Sequence, residues 1–261
     1  MNFIVLSLFP DLMAAFFRHG MIGRAADKGV ISPVAKNIRD FACDRHNTVD
    51  DRPYGGGSGM VMTPGPTEAA IGWARKKTPN ARVVLMTPQG RPFTQEKAME
   101  LAAGNEGLIL VCGRYEGIDE RVITNLVDEE ISLGDFVMTG GELSAMAVID
   151  ATARMIPGVL GNEGSSQTDS FMDQRLEHAQ YTRPECFSGM DVPEVLVSGN
   201  HERIRQWRKR SSLERTFIKR PDLFEAHPPT QEEKQILSQW RRELKQLIQG
   251  PNADPEQTPR G

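Results

Sequence analysis

Two glycine-bounded loops contain the residue types best suited to holding a ligand. The first, Gly113–Gly117, follows the apolar run Leu108–Cys112, and the second, Leu133–Gly141, precedes a helical pattern. Open α/β sheets bind ligands at the carboxyl ends of their strands, and glycines let backbone groups approach a flat ligand such as adenine. Either loop alone is also compatible with an ordinary strand-to-helix turn, but the two in succession predict a pocket.

A third loop, Asp44–Met60, combines charged residues with the glycines Gly55, Gly56, Gly57 and Gly59. Ordering such a segment costs conformational entropy, so contact with a phosphate or a flat base is one explanation for it. A flexible surface loop is the alternative interpretation.

Charge is distributed unevenly along a chain whose net charge is −4, from 31 basic and 35 acidic residues. Between Glu116 and Asp150 there are nine acidic residues and one basic residue, whereas His201–Arg220 has eight basic and two acidic residues. A basic segment in an acidic protein is typical of phosphate recognition. A solvated helix face that pairs with acids elsewhere explains it as well.

Several common signatures are absent. The chain has no Gly-Lys dipeptide, no G-x-G-x-x-G and no G-x-S-x-G, which argues against P-loop enzymes, ordinary Rossmann oxidoreductases and serine hydrolases. Its five histidines take no zinc-ligand spacing and its three cysteines form no C-x-x-C, so we predict no metal-ligand set and a cytoplasmic location. No apolar run approaches the roughly 18 residues of a membrane span, and we interpret Met1–Phe9 as a strand instead of a signal peptide.

Short apolar runs alternate with helical patterns over residues 1–160, which predicts βα units around a mostly parallel sheet. The predicted strands are Phe3–Leu8, Arg82–Met86, Leu108–Cys112 and Glu130–Leu133, and the predicted helices are Thr67–Lys77, Thr94–Ala103 and Gly141–Ile156. The polar segment 161–168 is interpreted as a flexible linker. We predict that residues 169–250 form a smaller, mainly helical domain, with Asn200 as one N-cap and Thr230–Glu233 as a capping box, and that residues 251–261 form a disordered tail.

Seven stretches together closely resemble the bacterial tRNA (guanine-N1)-methyltransferase family: Ser7–Pro10, Asp51–Met60, Pro88–Arg91, Cys112–Arg121, Gly140–Glu142, Ile156–Gly161 and Tyr181–Glu185. The resemblance extends from Met1 to about Arg220. It implies a SPOUT-type α/β domain at residues 1–160 with a C-terminal trefoil knot that binds S-adenosylmethionine, a helical tRNA-binding domain at residues 169–250, and a homodimer with its active site at the subunit interface. Phe136 stands where the family commonly has Tyr, and Asn162 where it often has His.

The resemblance implies methyl transfer from S-adenosylmethionine to N1 of the guanine 3′ of the anticodon, at position 37. Guanine N1 carries a proton at neutral pH, so the site needs a base for that proton and a cation near O6. In the family pattern, Asp169 and Arg154 match these two roles. A SPOUT methyltransferase acting on ribose or ribosomal RNA, and a non-catalytic RNA-binding protein of the same fold, are the alternatives.

The remaining site residues come from the three loops, the basic segment and the stretches that carry the resemblance. We expect the cofactor to contact Pro88, Gly113, Glu116, Leu133, Gly134, Asp135, Phe136, Val137, Met138, Gly140 and Gly141, and Mg²⁺ is a further candidate without predicted ligands. For tRNA we expect contacts from His46, Asp50, Arg183, Arg205, Arg208, Lys209, Arg210 and Arg215. Valine at Gly134 or Gly141 is expected to block the pocket and leave the fold intact. Apolar residues of the predicted helix, such as Leu143, Met146 and Ile149, favour a homodimer, with the domain's own core as the competing place of burial.

Overall fold

The computed structural model describes residues 1–104, 106–161 and 168–249. The chain divides into two compact units, Met1–Ser166 and Gln167–Gly261, and the division falls within the segment predicted as a linker. Most of that segment, Asn162 included, and the predicted tail lie outside the described residues. Among the described residues, no helix combines the length and the apolar character needed to cross a membrane.

The first unit is built on five parallel strands. These are β1 (Asn2–Ser7), β2 (Ser32–Asn37), β5 (Arg82–Pro92), β6 (Leu108–Cys112) and β7 (Glu129–Ser132), while β3 (Asp50–Asp51) and β4 (Val61–Met62) form a small antiparallel pair. The sheet order is β2-β1-β6-β5-β7, and every neighbouring pair is parallel. The predicted α/β class with a parallel sheet is therefore confirmed.

Two apolar cores lie on the two faces of this sheet, because successive strand residues point to opposite sides. Phe3 and Val5 pack in one core, and Ile4 and Leu6 in the other. The covering helices are α1 (Pro10–Arg18), α2 (Gly20–Asp27), α3 (Pro64–Lys77), α4 (Gln95–Gly104), α5 (Glu120–Leu126) and α6 (Glu142–Arg154). Residues of α1, α2, α4 and α6 belong to the first core, and residues of α3 and α5 to the second.

Two details differ from the sequence predictions. Strand β5 continues to Pro92 instead of ending at Met86, and β2 was not predicted because its sequence is polar and contains Pro33, which suits an edge strand. On α6, Ile149 is buried in the core of its own unit, whereas Leu143 is 58% exposed. The apolar positions of α6 therefore do not form one uniformly exposed face.

The second unit is mainly helical. It contains α7 (Glu194–Val197), α8 (His201–Lys219), α9 (Asp222–Ala226) and α10 (Gln231–Gln249), with the hairpin strands β8 (Cys186–Phe187) and β9 (Met190–Asp191). Asn200 caps α8 by accepting from the Arg203 amide, and Thr230 and Glu233 exchange hydrogen bonds at the start of α10, which confirms both predicted caps.

A buried ion pair joins α10 to the segment that precedes α8. The Arg175 guanidinium donates two hydrogen bonds of 3.1 Å to the carboxylate of Glu233 and lies 4.5 Å from the centre of the Phe224 ring. Burial opposes ionisation of Glu233, but the hydrogen bonds from Arg175 and Thr230 lower its pKa below the usual value. The pair therefore holds α9 and α10 against this segment.

Candidate active site

One cavity of about 240 Å³ lies at the carboxyl ends of β5, β6 and β7. Residues that follow β6 and β7 line it, as expected for a ligand site at the carboxyl ends of parallel strands, and β5 contributes Leu85–Gln89 from within the strand. Ten of the eleven residues expected to contact a cofactor line this cavity: Pro88, Gly113, Glu116, Leu133, Gly134, Phe136, Val137, Met138, Gly140 and Gly141. Asp135 is not among the lining residues, although it belongs to the same loop.

The wall from β5 is a bulge within the strand. The register with β7 shifts between Met86 and Arg91, so Thr87–Gly90 are extra residues in β5, and Thr87, Pro88 and Gln89 of these line the cavity. Gly90 lies so close to the backbone of Glu130 and Ile131 that a Cβ atom there would overlap it. The bulge therefore requires glycine at this position.

The wall from β6 is held by strand β4. The amide of Glu116 donates to Met60 O (2.9 Å), and the amide of Met62 donates to Gly117 O (2.9 Å). The Glu116 side chain fills the place that a side chain at Gly59 would need. Tyr115, between these contacts, has a left-handed φ of 60°, which is uncommon for a residue other than glycine. The third loop predicted from sequence thus ends against this wall of the cavity.

A buried carboxylate fixes the start of α6 beneath the cavity. Glu142 is 1% exposed, and its Oε1 accepts a hydrogen bond of 2.6 Å from Ser7 Oγ and one of 3.3 Å from Arg114 Nε. Its Oε2 lies 2.8 Å from a terminal nitrogen of Arg114. An ionised group with this little exposure is stable only when it is paired. Glu142 therefore ties the end of β1 and the loop after β6 to the N-terminus of α6.

Arg114 connects Glu142 to the loop after β7. It donates to Thr139 O at 3.1 Å, and its guanidinium lies 4.5 Å from the centre of the Phe9 ring. Its side chain also occupies the space where a Cβ atom of Gly140 would be. The loop after β7 is thus fastened to Glu142 through a single arginine.

The same carboxylate affects a thiol behind the cavity wall. Cys112 is completely buried at the end of β6, and burial together with the negative charge of Glu142 raises the pKa of its thiol well above the usual value, against a smaller opposing effect of Arg114. Cys112 is therefore a neutral core residue, in keeping with the absence of a predicted cysteine function.

Comparisons with known proteins agree with this geometry. A family model described as tRNA (Guanine-1)-methyltransferase TrmD matches residues 1–226. The chain belongs to this family. A tRNA (guanine-N(1)-)-methyltransferase of Desulfatibacillum aliphaticivorans is 52% identical over 97% of this chain and 98% of the relative, and one of Syntrophotalea carbinolica is 51% identical over 93% and 98%. A protein of the same name from Staphylococcus epidermidis is 50% identical over 92% of this chain and 97% of the relative.

The two residues that match the family's catalytic pattern lie in different units. Arg154 is the last residue of α6 and is partly buried, and Asp169 is a partly buried residue whose carbonyl accepts from the Met172 amide in the second unit. Their roles stay predictions for this member of the family. Among the described residues, no group of three or more His, Cys, Asp or Glu side chains is arranged to hold a metal ion.

Two of the residues expected to contact tRNA, His46 and Asp50, lie in the third loop. His46 is exposed in a turn that Asp44 stabilises, because the Asp44 carboxylate accepts from the amides of His46 (2.8 Å) and Thr48 (2.9 Å). These hydrogen bonds lower the pKa of Asp44. Asp50 lies in β3, opposite Met62. The Asp44 side chain thus holds the turn at residues 44–48, and contact of this loop with tRNA stays a prediction.

The basic helix divides into paired and unpaired cations. Arg205 pairs with Glu202, Lys209 with Glu232, and Arg210 with both Glu214 and Glu243. The Nε atom of Arg215 is buried and donates no hydrogen bond to a described residue. Arg208 and Arg183 are exposed, and no carboxylate of the described residues lies within 4 Å of either guanidinium. The interpretation of a helix face that pairs with acids therefore holds for Arg205, Lys209 and Arg210, whereas phosphate recognition stays a prediction for Arg208 and Arg183.

We expect Glu142→Gln to destabilise the first unit by about 2 kcal/mol, because the change keeps the shape but removes the charge that Arg114 faces. Urea unfolding followed by circular dichroism measures the effect. Glu68→Gln, at an exposed position of α3, is the matched control and should change the free energy of unfolding by less than about 0.5 kcal/mol. Equal stability of the two variants would mean that the buried charge pair contributes nothing.

The glycines at the two ends of the loop after β7 are expected to respond differently. A Cβ atom at Gly141 would lie 2.8 Å from Cys112 Cα and 2.8 Å from Met86 Cβ, within the sheet, so Gly141→Val should lower the melting temperature strongly. At Gly134 a Cβ atom would meet the half-exposed Phe136 ring at 2.9 Å, so Gly134→Val should cost little beyond about 1–3 kcal/mol of backbone strain. These short distances at Gly141 are to strand residues, so they argue against the expectation that valine there spares the fold. Calorimetric melting of both variants makes the comparison, and an unchanged melting temperature for Gly141→Val would contradict it.

Proposed function

We propose that this protein transfers a methyl group from S-adenosylmethionine to N1 of guanine 37, immediately 3′ of the anticodon of tRNA. Family membership over most of the chain supports the reaction class. The observation that carries the proposal is the cavity at the carboxyl ends of β5, β6 and β7, where glycine backbone and apolar side chains converge. Such a lining suits a ligand that combines a flat base with a short polar chain.

The lining residues fit S-adenosylmethionine by chemical type. Leu133, Phe136 and Met138 offer apolar surface for an adenine ring, while the loops containing Gly113 and Gly140 let backbone groups approach its polar edge. Glu116 is a carboxylate in the lining and suits the positive charge of the ligand's methionine part. When bound, S-adenosylmethionine supplies an electrophilic methyl group on a sulfonium centre.

The protein must handle one proton and one developing charge. Asp169 accepts the proton from guanine N1 as that nitrogen becomes a nucleophile, and the Arg154 guanidinium stabilises the negative charge that accumulates on O6. The two residues belong to different units of one chain. We propose that they meet at the interface of a homodimer, where Arg154 and Asp169 of separate copies complete each site.

Exposed apolar side chains support the homodimer. Leu12, Phe16 and Met146 line a shallow groove between α1 and α6, and Phe9 and Leu143 are 51% and 58% exposed. Large apolar surfaces of this kind mark protein–protein contacts.

We also propose that the loops around the cavity form the trefoil knot of the SPOUT class. In the sheet order β2-β1-β6-β5-β7, strand β6 lies between β1 and β5, so the chain crosses over between strands, as a knotted path requires.

The protein is proposed to act on tRNA in the cytoplasm. Mg²⁺ stays an additional candidate, but the described residues offer no three-ligand group for it, so no step is assigned to the ion.

Incubation of the protein with unmodified tRNA and S-adenosylmethionine, followed by nucleoside analysis, tests the reaction. Appearance of 1-methylguanosine supports it. A 2′-O-methylated nucleoside, or tRNA binding without any methyl transfer, would overturn it.

Asp169→Asn keeps the size of the side chain but removes the anionic base. We expect single-turnover methyl transfer to fall by about 10²- to 10⁴-fold, with S-adenosylmethionine affinity near the wild-type value. Arg154→Ala should also slow the reaction, through lost stabilisation at O6, and higher pH should not restore it. Rapid-quench assays measure the rates and calorimetry the affinity. A wild-type rate for Asp169→Asn would move the base role to Asp50 or to a water molecule.

The pairing pattern on α8 predicts which arginines contact phosphate. Arg208→Ala should weaken tRNA binding and reduce the slope of log K against log salt by about one unit, because Arg208 has no carboxylate partner among the described residues. Arg210→Ala should reduce the slope less, since Glu214 and Glu243 already neutralise that guanidinium. Filter-binding titrations between low and moderate salt compare the two variants. Equal slopes would show that ion pairing within the unit does not decide the contacts.

A further inference from the structure

A cavity with an aromatic cluster lies in the second unit, within a segment that the methyl-transfer chemistry does not use. It has a volume of about 390 Å³ and is lined by residues 178–183, by the region of α7 and by one side of α8. Trp207 is at its centre, with the rings of His178 and Tyr181 at 6.3 and 6.1 Å from its own ring. Three aromatic side chains therefore meet at one surface of the candidate tRNA-binding unit.

Hydroxyl groups of α8 hold the segment that carries two of these rings. The amide of Ala179 donates to Ser211 Oγ (3.1 Å), the amide of Leu176 donates to Thr216 Oγ1 (2.9 Å), and Ser212 Oγ donates to Leu176 O (2.6 Å). These hydrogen bonds anchor the backbone at Leu176 and Ala179. The anchored backbone places the His178 and Tyr181 rings beside Trp207 without an external ligand. The aromatic surface is therefore pre-organised, which lowers the entropy cost of binding.

The Tyr181 ring is available to a ligand. It is 50% exposed, although an aromatic side chain that only stabilised the unit would be better buried. Trp207 and His178 are partly buried, so the cluster presents one open ring above two supported rings. Exposed aromatic rings of this kind stack on unpaired nucleobases, and such stacking tolerates any base.

The cations at the cavity also point to a nucleotide. Arg183 and Arg208 line it, and neither guanidinium lies within 4 Å of a carboxylate of the described residues. Other cations of α8, such as Arg205 and Lys209, are already paired with glutamates. Glu185 is the single carboxylate among the residues that line the cavity, so the lining charge is positive. An aromatic ring beside unpaired guanidinium groups matches a nucleobase beside its phosphate.

We propose that the cavity around Tyr181 and Trp207 is a second nucleotide-binding site, which takes one unpaired nucleotide of the tRNA other than the methylated guanine. The base stacks on the exposed Tyr181 ring, which Trp207 supports at an interplanar angle of 60°, and a neighbouring phosphate pairs with Arg208 or Arg183. This inference rests on the proposed function, because it assumes that tRNA is the substrate. It adds a contact that selects for an unstacked base elsewhere in the same tRNA.

The test measures tRNA affinity in the absence of S-adenosylmethionine, so it does not depend on catalysis. Tyr181→Leu should raise the Kd for unmodified tRNA about five- to a hundredfold, the range typical of one lost base stack. Trp207→Leu should do the same, and Trp207→Phe, which retains a ring, should restore most of the affinity. The matched control is Phe187→Leu, an aromatic residue of the β8–β9 hairpin that is 67% exposed and outside the cavity, and its Kd should stay at the wild-type value.

A double-mutant cycle identifies the nucleotide. Full-length tRNA molecules with single abasic nucleotides at unpaired positions are titrated against wild-type protein and Tyr181→Leu. One abasic position should weaken binding to the wild type as much as Tyr181→Leu does, and the combination should cause no further loss. An unchanged Kd for a folded Tyr181→Leu variant, or additive losses at every abasic position, would overturn the inference and favour a protein partner for this surface. Failure of the wild type to form 1-methylguanosine would overturn the proposed function instead, with these affinities still measurable.

Discussion

The ion pair between Glu142 and Arg114 is the interaction on which the cavity depends. A carboxylate that is 1% exposed loses its hydration on folding, and in the described part of the chain Arg114 and Ser7 compensate for that loss. Since Ser7 ends β1, Arg114 follows β6 and Glu142 begins α6, one buried charge sets the relative positions of three elements. Arg114 then donates to Thr139 and fixes the loop after β7. The loops that line the cavity are therefore held in place by the residues that neutralise the buried charge of Glu142.

This constraint explains why glycine occurs where it does. Gly140 must leave room for the Arg114 side chain, and Gly141 lies against Cys112 and Met86 in the sheet. Gly59 leaves room for the side chain of Glu116, which joins the third loop to the same wall. Glycine-rich loops are usually interpreted as flexible or as fitted to a ligand. Here several of the glycines are required by close packing of the protein against itself, and the open space that they leave is a consequence of that packing.

Much of this arrangement could be predicted from sequence. Alternating apolar runs located four of the five sheet strands, and capping residues such as Asn200 and Thr230 marked the starts of α8 and α10. The two glycine loops were correctly expected at one cavity, because parallel strands end at the same edge of a sheet. Glu142 could not be identified as buried, since it follows two glycines and resembles an ordinary N-terminal helix residue, and its partners Ser7 and Arg114 are distant in sequence. Strand β2 was missed because it owes its place to pairing with β1 and not to its own composition.

The basic helix shows most clearly why sequence alone is insufficient. A count of charges gives every arginine of α8 the same weight, but Glu232 and Glu243 on α10 neutralise Lys209 and Arg210. These two glutamates are eleven residues apart, about three helical turns, so they lie on one side of α10. Lys209 and Arg210 pair with glutamates of α10 and so help to hold the unit together. Arg208 is adjacent to Lys209 in sequence, yet it lines the aromatic cavity with Trp207 and Tyr181, so a guanidinium without a carboxylate partner among the described residues lies where the Tyr181 ring is exposed. Under the proposed function, tRNA recognition by this unit follows from which charges the fold leaves unpaired, and that is a property of tertiary structure that no local pattern contains.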